Sequence, residues 1–226
     1  GGVRRFDTLE QALKEAWPGL RIKLPAGRHM IERSVLPAGV TITGAGRDET
    51  QLVVLHKLGL TSSSGSTLER LTLEYPGEVC ALTLGTPRLI LNRVRLKSPK
   101  APALRAQRKV SLRAGDPQLI ATELIIDGGE GIGLEIPDSQ AVQLSGLTIT
   151  GRETGLVGKN CHLSLSSGKF IANRSHGAVL TAGIGFLREC DFLDNGGDGL
   201  QLRSTTLQWQ IHGGRIAGNG GRGLYG

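Results

Sequence analysis

Three observations predict an all-β chain coiled as a right-handed, single-stranded parallel β-helix solenoid, with an α-helix capping its N-terminal end. From Leu71 onward, an apolar residue and a small residue recur together at near-constant spacing. Glycine is abundant, at 34 of 226 residues, and is scattered among Leu, Ile and Val rather than gathered in a low-complexity block. Only one stretch carries a helical apolar period, and it stands at the start.

That stretch runs from Phe6 to Trp17 and places Phe6, Leu9, Leu13 and Trp17 on one face. Asp7 or Thr8 serves as N-cap, Thr8 with Gln11 fits a capping box, and Pro18-Gly19 ends the helix. Short strand-like runs follow, at Arg21–Leu24, Val40–Thr43 and Leu52–Leu55, each bounded by turn residues such as Pro25-Ala26-Gly27 and Gly44-Ala45-Gly46. The Ser/Gly-rich run Thr61–Ser66 reads as a loop.

The repeat then becomes regular. The apolar residues Leu73, Leu96, Ile126, Ile149, Phe170, Phe192 and Ile216 follow one another at steps of 23, 30, 23, 21, 22 and 24. A small residue follows each, at Cys80, Ala103, Gly133, Gly155, Gly177, Gly199 and Gly223, and an apolar one comes directly after, at Ala81, Leu104, Leu134, Leu156, Ala178, Leu200 and Leu224. Asn173, Asn195 and Asn219 form a further column. A unit of 22 to 24 residues is too short for two packed helices and reads as strand, turn, strand, turn. One turn cannot bury its own apolar face, whereas stacked turns share a continuous core. Small residues mark bends where φ is positive or the backbones approach closely, and an Asn column there can form a side-chain ladder. Eight or nine turns are expected, about 40 Å long at ~4.8 Å per rung. The step of 30 implies an insertion, placed most simply around Arg113 to Gln118. The reading is one domain over 1–226, with the capping helix over 6–17 and turns over 20–226. Because Leu224-Tyr225-Gly226 ends just after a bend without a cap, a longer parent protein, or a domain or subunit stacked at that end, is expected.

The formal charge of +7 is concentrated. Nine basic residues and no acid lie between Arg88 and Arg113, so the rest of the chain nets 7 − 9 = −2. This band holds no aromatic residue, which removes the stacking platforms that single-stranded nucleic acid uses and makes nucleic acid a poor partner. The three cysteines, Cys80, Cys161 and Cys190, are too few and too widely spaced for a disulfide framework or a zinc site, and read as buried free thiols. No apolar run is long enough to span a membrane, the first residues show no signal-peptide core, and the compartment stays open.

The opening helix with Leu9, Ala12 and Leu13, then Ile22-Lys23-Leu24-Pro25-Ala26-Gly27 and Val40-Thr41-Ile42-Thr43-Gly44-Ala45-Gly46, is similar to the cap and first coils of the pectin-lyase-like superfamily. Asn173-Arg174-Ser175-His176-Gly177 and Asn195-Gly196-Gly197-Asp198-Gly199 resemble its parallel β-helix repeats. The resemblance implies the right-handed β-helix fold. Members include lyases, hydrolases, epimerases, phage tailspikes and non-catalytic domains, so function has to come from a site.

Strand period places Arg93, Arg95 and Lys97 outward together when Val94 and Leu96 face the core. Arg70 and Glu74 stand in matching columns on the turn before, Glu123 and Asp127 on the turn after, and Lys169, Asp191 and Arg215 farther along. Arginines at strand spacing suit the carboxylates or sulfates of an anionic polymer. The leading reading is therefore a non-catalytic binding scaffold for an acidic polysaccharide or acidic protein surface, contacted through Arg93, Arg95, Lys97, Arg105, Arg108 and Lys109, with no cofactor. The plainer alternative is a surface charge ladder between adjacent turns. As an enzyme, the chain would be a polysaccharide lyase or glycoside hydrolase working in a groove on a sheet face. By resemblance to pectate lyases, Arg95 would be the base and Glu123 with Asp127 calcium ligands, although calcium draws on six or more oxygens. By resemblance to polygalacturonase-like hydrolases, His176 would act with Asp191, Asp194 and Asp198. A third reading is a structural module of a larger protein.

Overall fold

A computed structural model of the chain describes residues 5–85, 88–106, 117–137, 141–203 and 208–226. Strand pairing follows the predicted columns. Leu73 pairs with Leu96, Leu96 with Ile126, Ile126 with Ile149, Ile149 with Phe170, Phe170 with Phe192 and Phe192 with Ile216, each in a parallel ladder. The second apolar column holds from Leu104 to Leu224 but begins at Leu82, not Ala81, because the first loop carries one extra residue. Ala81, not Cys80, therefore heads the small-residue column.

The ladders form three sheets. The first runs from Leu60–Ser62 and Leu82–Leu84 through Leu104–Ala106 and Ile132–Ile136 to Leu200–Arg203 and Leu224–Tyr225. The second begins at Arg21–Lys23 and Thr41–Thr43, includes Leu119–Thr122 and Ala141–Ser145, and reaches Gln208–His212. The third, among the described residues, stacks nine segments: Gly27–Ile31, Thr50–Val54, the ends of Thr67–Glu74 and Leu89–Lys97, then Ile125–Asp127, Thr148–Thr150, Lys169–Ile171, Asp191–Leu193 and Ile216–Ala217. Two long strands, Thr154–Ser166 and Ala178–Arg188, pass from the first sheet into the second. Inward side chains fill one continuous core, where Phe170 and Phe192 stack with centroids 4.9 Å apart.

The corner between the second and third sheets is made by a left-handed residue on turn after turn, Arg70, Arg93, Glu123, Gly146, Ser167, Glu189 and Gly213, with φ between 51° and 67°, and Gly214 is left-handed beside the last of them. The corner after the third sheet is left-handed at Gly128, Gly151, Ala172, Asp194 and Gly218 and is followed by the Asn ladder. Asn195 Oδ1 accepts from the Asn173 backbone N–H at 3.1 Å and from its Nδ2 at 2.9 Å, and Asn219 Oδ1 does the same for Asn195 at 3.0 and 2.8 Å. The ladder's other end is Arg152, whose backbone N–H donates to Asn173 Oδ1. Arg152 is fully buried and, among the described residues, faces no carboxylate; its guanidinium donates to the carbonyls of Ser98, Ala101, Gly128, Glu130 and Ile132 on the two preceding turns. Burial, and then the nearby Arg174 charge, pulls its pKa down to about 10.

The small-residue column is decided by close approach rather than by φ. Gly177 is not left-handed; a Cβ there would fall on the Gly199 carbonyl and lie 3.1 Å from the Phe192 ring.

The capping helix is shorter than 6–17. It covers Leu9–Lys14, with Thr8 as N-cap accepting from the Gln11 N–H and the Gln11 side chain accepting from the Asp7 N–H. Leu9, Ala12 and Leu13 form its buried face, whereas Trp17 lies beyond the last turn and is exposed. The Thr61–Ser66 loop also starts later than expected, because Thr61 and Ser62 pair with Thr83 and Leu84. The insertion lies between Ala106 and Leu119, where twelve residues replace the four between Leu84 and Leu89 one turn earlier. Of the expected stretch, Arg113 to Gln118, residues 113–116 lie outside the described residues.

Candidate functional site

The third-sheet face carries the predicted charges in the predicted columns. Glu74, Lys97 and Asp127 are register partners, and Arg70, Arg93 and Glu123 share a corner. Arg93 is thus a bend residue, while Arg95 and Lys97 lie on the sheet face. Most of these charges are already matched. Arg95 bridges Asp48 and Asp127, its Nε 2.9 Å from Asp127 Oδ2. Glu123 receives Arg93 at 3.4 Å and Arg47 at 3.5 Å. Arg47 and Asp48 belong to the loop 44–49, which also packs through a Thr72 Oγ1 donation to Arg47 O at 2.7 Å and an Arg70 donation to Ala45 O.

The described part of the basic band, residues 88–106, does not make one patch, because it passes over the second, third and first sheets in turn. Arg93 stands at a corner, Arg95 and Lys97 on the third sheet, and Arg105 on the first sheet, where its Nε lies 2.5 Å from Glu135 Oε2. That hydrogen bond raises the Arg105 pKa. Arg108 and Lys109 lie outside the described residues.

His176 and Asp198 come together at the later turns. His176 Nδ1 accepts the Asp198 N–H at 2.9 Å and lies 4.0 Å from its Oδ2. The Gln201 amide and the Arg222 N–H at 2.6 Å hold the Asp198 carboxyl below its ordinary pKa. Asp191 is a third-sheet residue, lowered chiefly by hydrogen bonding to Arg215 at 3.1 Å. Asp194 is the exposed left-handed corner residue. Each carboxylate thus stands in a different setting: strand, corner and the bend beyond it. Among the described residues no group of three or more His, Cys, Asp or Glu is placed to hold a metal. All three cysteines are buried and free, and burial raises their pKa values.

The second-sheet face is a surface the sequence reading passed over. Its outward column begins at Arg21 and from there is in register and uncharged through Thr41, Thr67, Ile90, Ile120, Gln143, Ser164, Phe186 and Gln210. A groove of about 290 Å³ lies on it, lined by Pro117, Gln143, His162, Ser164, Ile184 and Phe186. Phe186 is 51% exposed although it stands mid-strand. The inward partners Val142, Leu163, Gly185 and Trp209 explain the shape. A Cβ on Gly185 would meet the Trp209 ring at 2.7 Å, so the bulky indole is accommodated by the missing side chain below it. The signal was present as alternation in Ala141–Ser145, His162–Ser166 and Ile184–Arg188, but strand period alone does not say which of three sheet faces a residue shares.

No protein-family model matches the chain, and neither does any curated protein sequence. Solved structures do. The A-module of mannuronan C-5 epimerase AlgE4 from Azotobacter vinelandii is similar with a TM-score of 0.58 at 17% identity, over 93% of this chain and 72% of that one. The enzymatically active domain of tailspike protein 2 from bacteriophage CBA120 gives 0.62 at 14% identity, over 90% of this chain and 37% of that one. The catalytic unit of an α-1,3-glucanase from Streptomyces thermodiastaticus gives 0.53 at 14% identity, over 85% and 42%. At these identities the likeness speaks for fold alone, and together with the turn register it shows this chain to be a right-handed parallel β-helix.

Proposed function

We propose that this β-helix is a non-catalytic scaffold that binds polysaccharide along the second-sheet face. The observation that carries the reading is the uncharged outward column ending at the groove under Phe186. Amide, hydroxyl and imidazole groups of Gln143, Ser164 and His162 suit sugar hydroxyls, and an exposed aromatic ring suits the apolar face of a pyranose. Rungs repeat every ~4.8 Å, on the order of one sugar residue, so a chain running along the axis meets a new set of polar groups at each step. The names of the structurally similar proteins, a mannuronan epimerase and an α-1,3-glucanase, support a carbohydrate partner. A binding role rather than a catalytic one is supported by the engagement of three of the four hydrolase candidates, Asp191 by Arg215, Asp198 by Gln201 and Arg222, and His176 Nδ1 by a backbone N–H, whereas Asp194 is exposed.

The test is affinity electrophoresis on mannuronan and on an α-1,3-glucan, with wild type and Phe186→Ala. The variant is expected to bind about twofold to tenfold more weakly. Equal retardation of both proteins on every polymer would remove the groove from the reading. New reducing ends, an unsaturated product or a change in uronate configuration would replace the scaffold with an enzyme.

A further inference from the structure

The corner between the second and third sheets is made by a left-handed residue on seven successive turns, from Arg70 to Gly213, yet between Thr43 and Thr50 the connection is six residues long. The extra chain lies over the following turns. Ala45 and Arg47 accept from Arg70 and Thr72 one turn on, Asp48 meets Arg95 on the next, and Arg47 reaches both the carbonyl and the carboxylate of Glu123 on the one after. Three guanidinium groups, of Arg47, Arg93 and Arg95, here face three carboxylates, of Asp48, Glu123 and Asp127.

The carboxylates are not equivalent. Asp127 is a strand residue and Glu123 a corner residue of the coil, whereas Asp48 sits on the overlying loop with its side chain 72% exposed. Arg95, its partner, is 25% exposed, so Asp48 approaches the guanidinium from the solvent side. Removing Asp48 leaves the cluster one positive charge in excess and opens that approach. We propose that Arg95 is an anion subsite for a carboxylate or sulfate of an acidic polysaccharide, and that Asp48 occupies this subsite in the free protein. The proposal rests on the polysaccharide reading above and names the charge of the ligand. A ligand anion displaces Asp48 readily because the 72% exposed carboxylate keeps much of its hydration in the pair, and a polymer that is also held elsewhere presents its anions at high local concentration.

Isothermal titration of wild type, Asp48→Asn and Asp48→Asn/Arg95→Gln tests this, with a polyuronate oligosaccharide, a sulfated glycan oligosaccharide and a neutral glucan oligosaccharide as probes. Asp48→Asn is expected to bind an acidic probe about threefold to fivefold more tightly than wild type, with the neutral probe unaffected. The double variant is expected to lose that gain. Which acidic probe responds distinguishes a carboxylate from a sulfate ligand. Unchanged or weaker acidic binding by Asp48→Asn overturns the subsite, and if the neutral glucan still binds, the scaffold reading survives it. Absence of binding by all three probes to all three proteins overturns both.

Discussion

Arg152 is the residue with most at stake in the fold. A buried cation ordinarily has a carboxylate; here five carbonyl oxygens take its place. Those carbonyls belong to turns that close before Arg152 is reached, so the side chain ties the 98–102 and 128–132 bends to its own turn. Replacing it with Met keeps the bulk but orphans the acceptors, each at about 1–3 kcal/mol when buried. Arg152→Met is expected to lower stability by at least about 3 kcal/mol, read from the urea midpoint; a loss under about 1 kcal/mol would mean the carbonyls find water. Asp198 offers a pH handle. Its folded pKa lies below the ordinary value of 3.8, so its contribution is fully present above the unfolded pKa and is lost as pH falls through the folded one. Asp198→Asn is expected to flatten the decline in urea midpoint between about pH 5 and pH 2. An unaltered acid limb would assign that decline to other carboxylates.

At the scale of the element, the Asn ladder and the glycine column are one device. The Asn side chains lie under the bend, and glycine at 155, 177 and 199 leaves room for the amide nitrogen and for Phe170, Phe192 and Ile216 beside it. Asn195 Nδ2 also donates to the Phe170 carbonyl at 3.1 Å. Asn195→Ala therefore strands the Asn173 N–H and the Phe170 carbonyl together, and a loss of about 2–4 kcal/mol is expected. Asn195→Asp keeps the acceptor but not the donor, and should fall between the two. Equal stability of all three proteins would reduce the ladder to a spacer. The short capping helix works differently: Leu9, Ala12 and Leu13 close the core, and Arg33, just past the first third-sheet strand, holds it through Glu10 at 3.1 Å and the Leu13 carbonyl at 3.3 Å.

Across the whole molecule, the backbone ladders join each turn only to its neighbours, and apart from the loop 44–49 and Arg152, which reach farther, stability is close to a sum of turn and interface contributions. The loss at Asn195 is then expected to stay local. In hydrogen exchange, amides of the turns from Asp191 onward should lose protection in Asn195→Ala while those of Thr41–Thr43 and Thr50–Val54 keep theirs. A uniform loss along the chain would indicate one cooperative unit instead. The same nearest-neighbour geometry explains the charge distribution. A stretch about one coil long visits every side of the prism, so the described part of the basic run becomes a belt rather than a patch.

The periodic features were legible in the sequence because a strand alternates by two and a turn repeats by a nearly constant number, so the columns from Leu73 to Ile216 needed no third dimension. The same holds for Thr8 as cap and for the Asn column. Where one residue of slack entered, as between Leu73 and Leu82, the alignment slipped by one, since nothing local marks which residue of a loop is extra. Tertiary structure alone decided what lies outside the period. The loop 44–49 meets Arg95 and Glu123 at separations of 47 and 76 residues, distances at which sequence spacing carries no signal. Arg152 stands in a ladder position that its residue type does not announce, and Phe186 joins Gln143 and Ser164 on one face only because three turns stack in register. The coil follows from local alternation and bends, while the surface it presents follows from how successive turns and one long loop come to lie side by side.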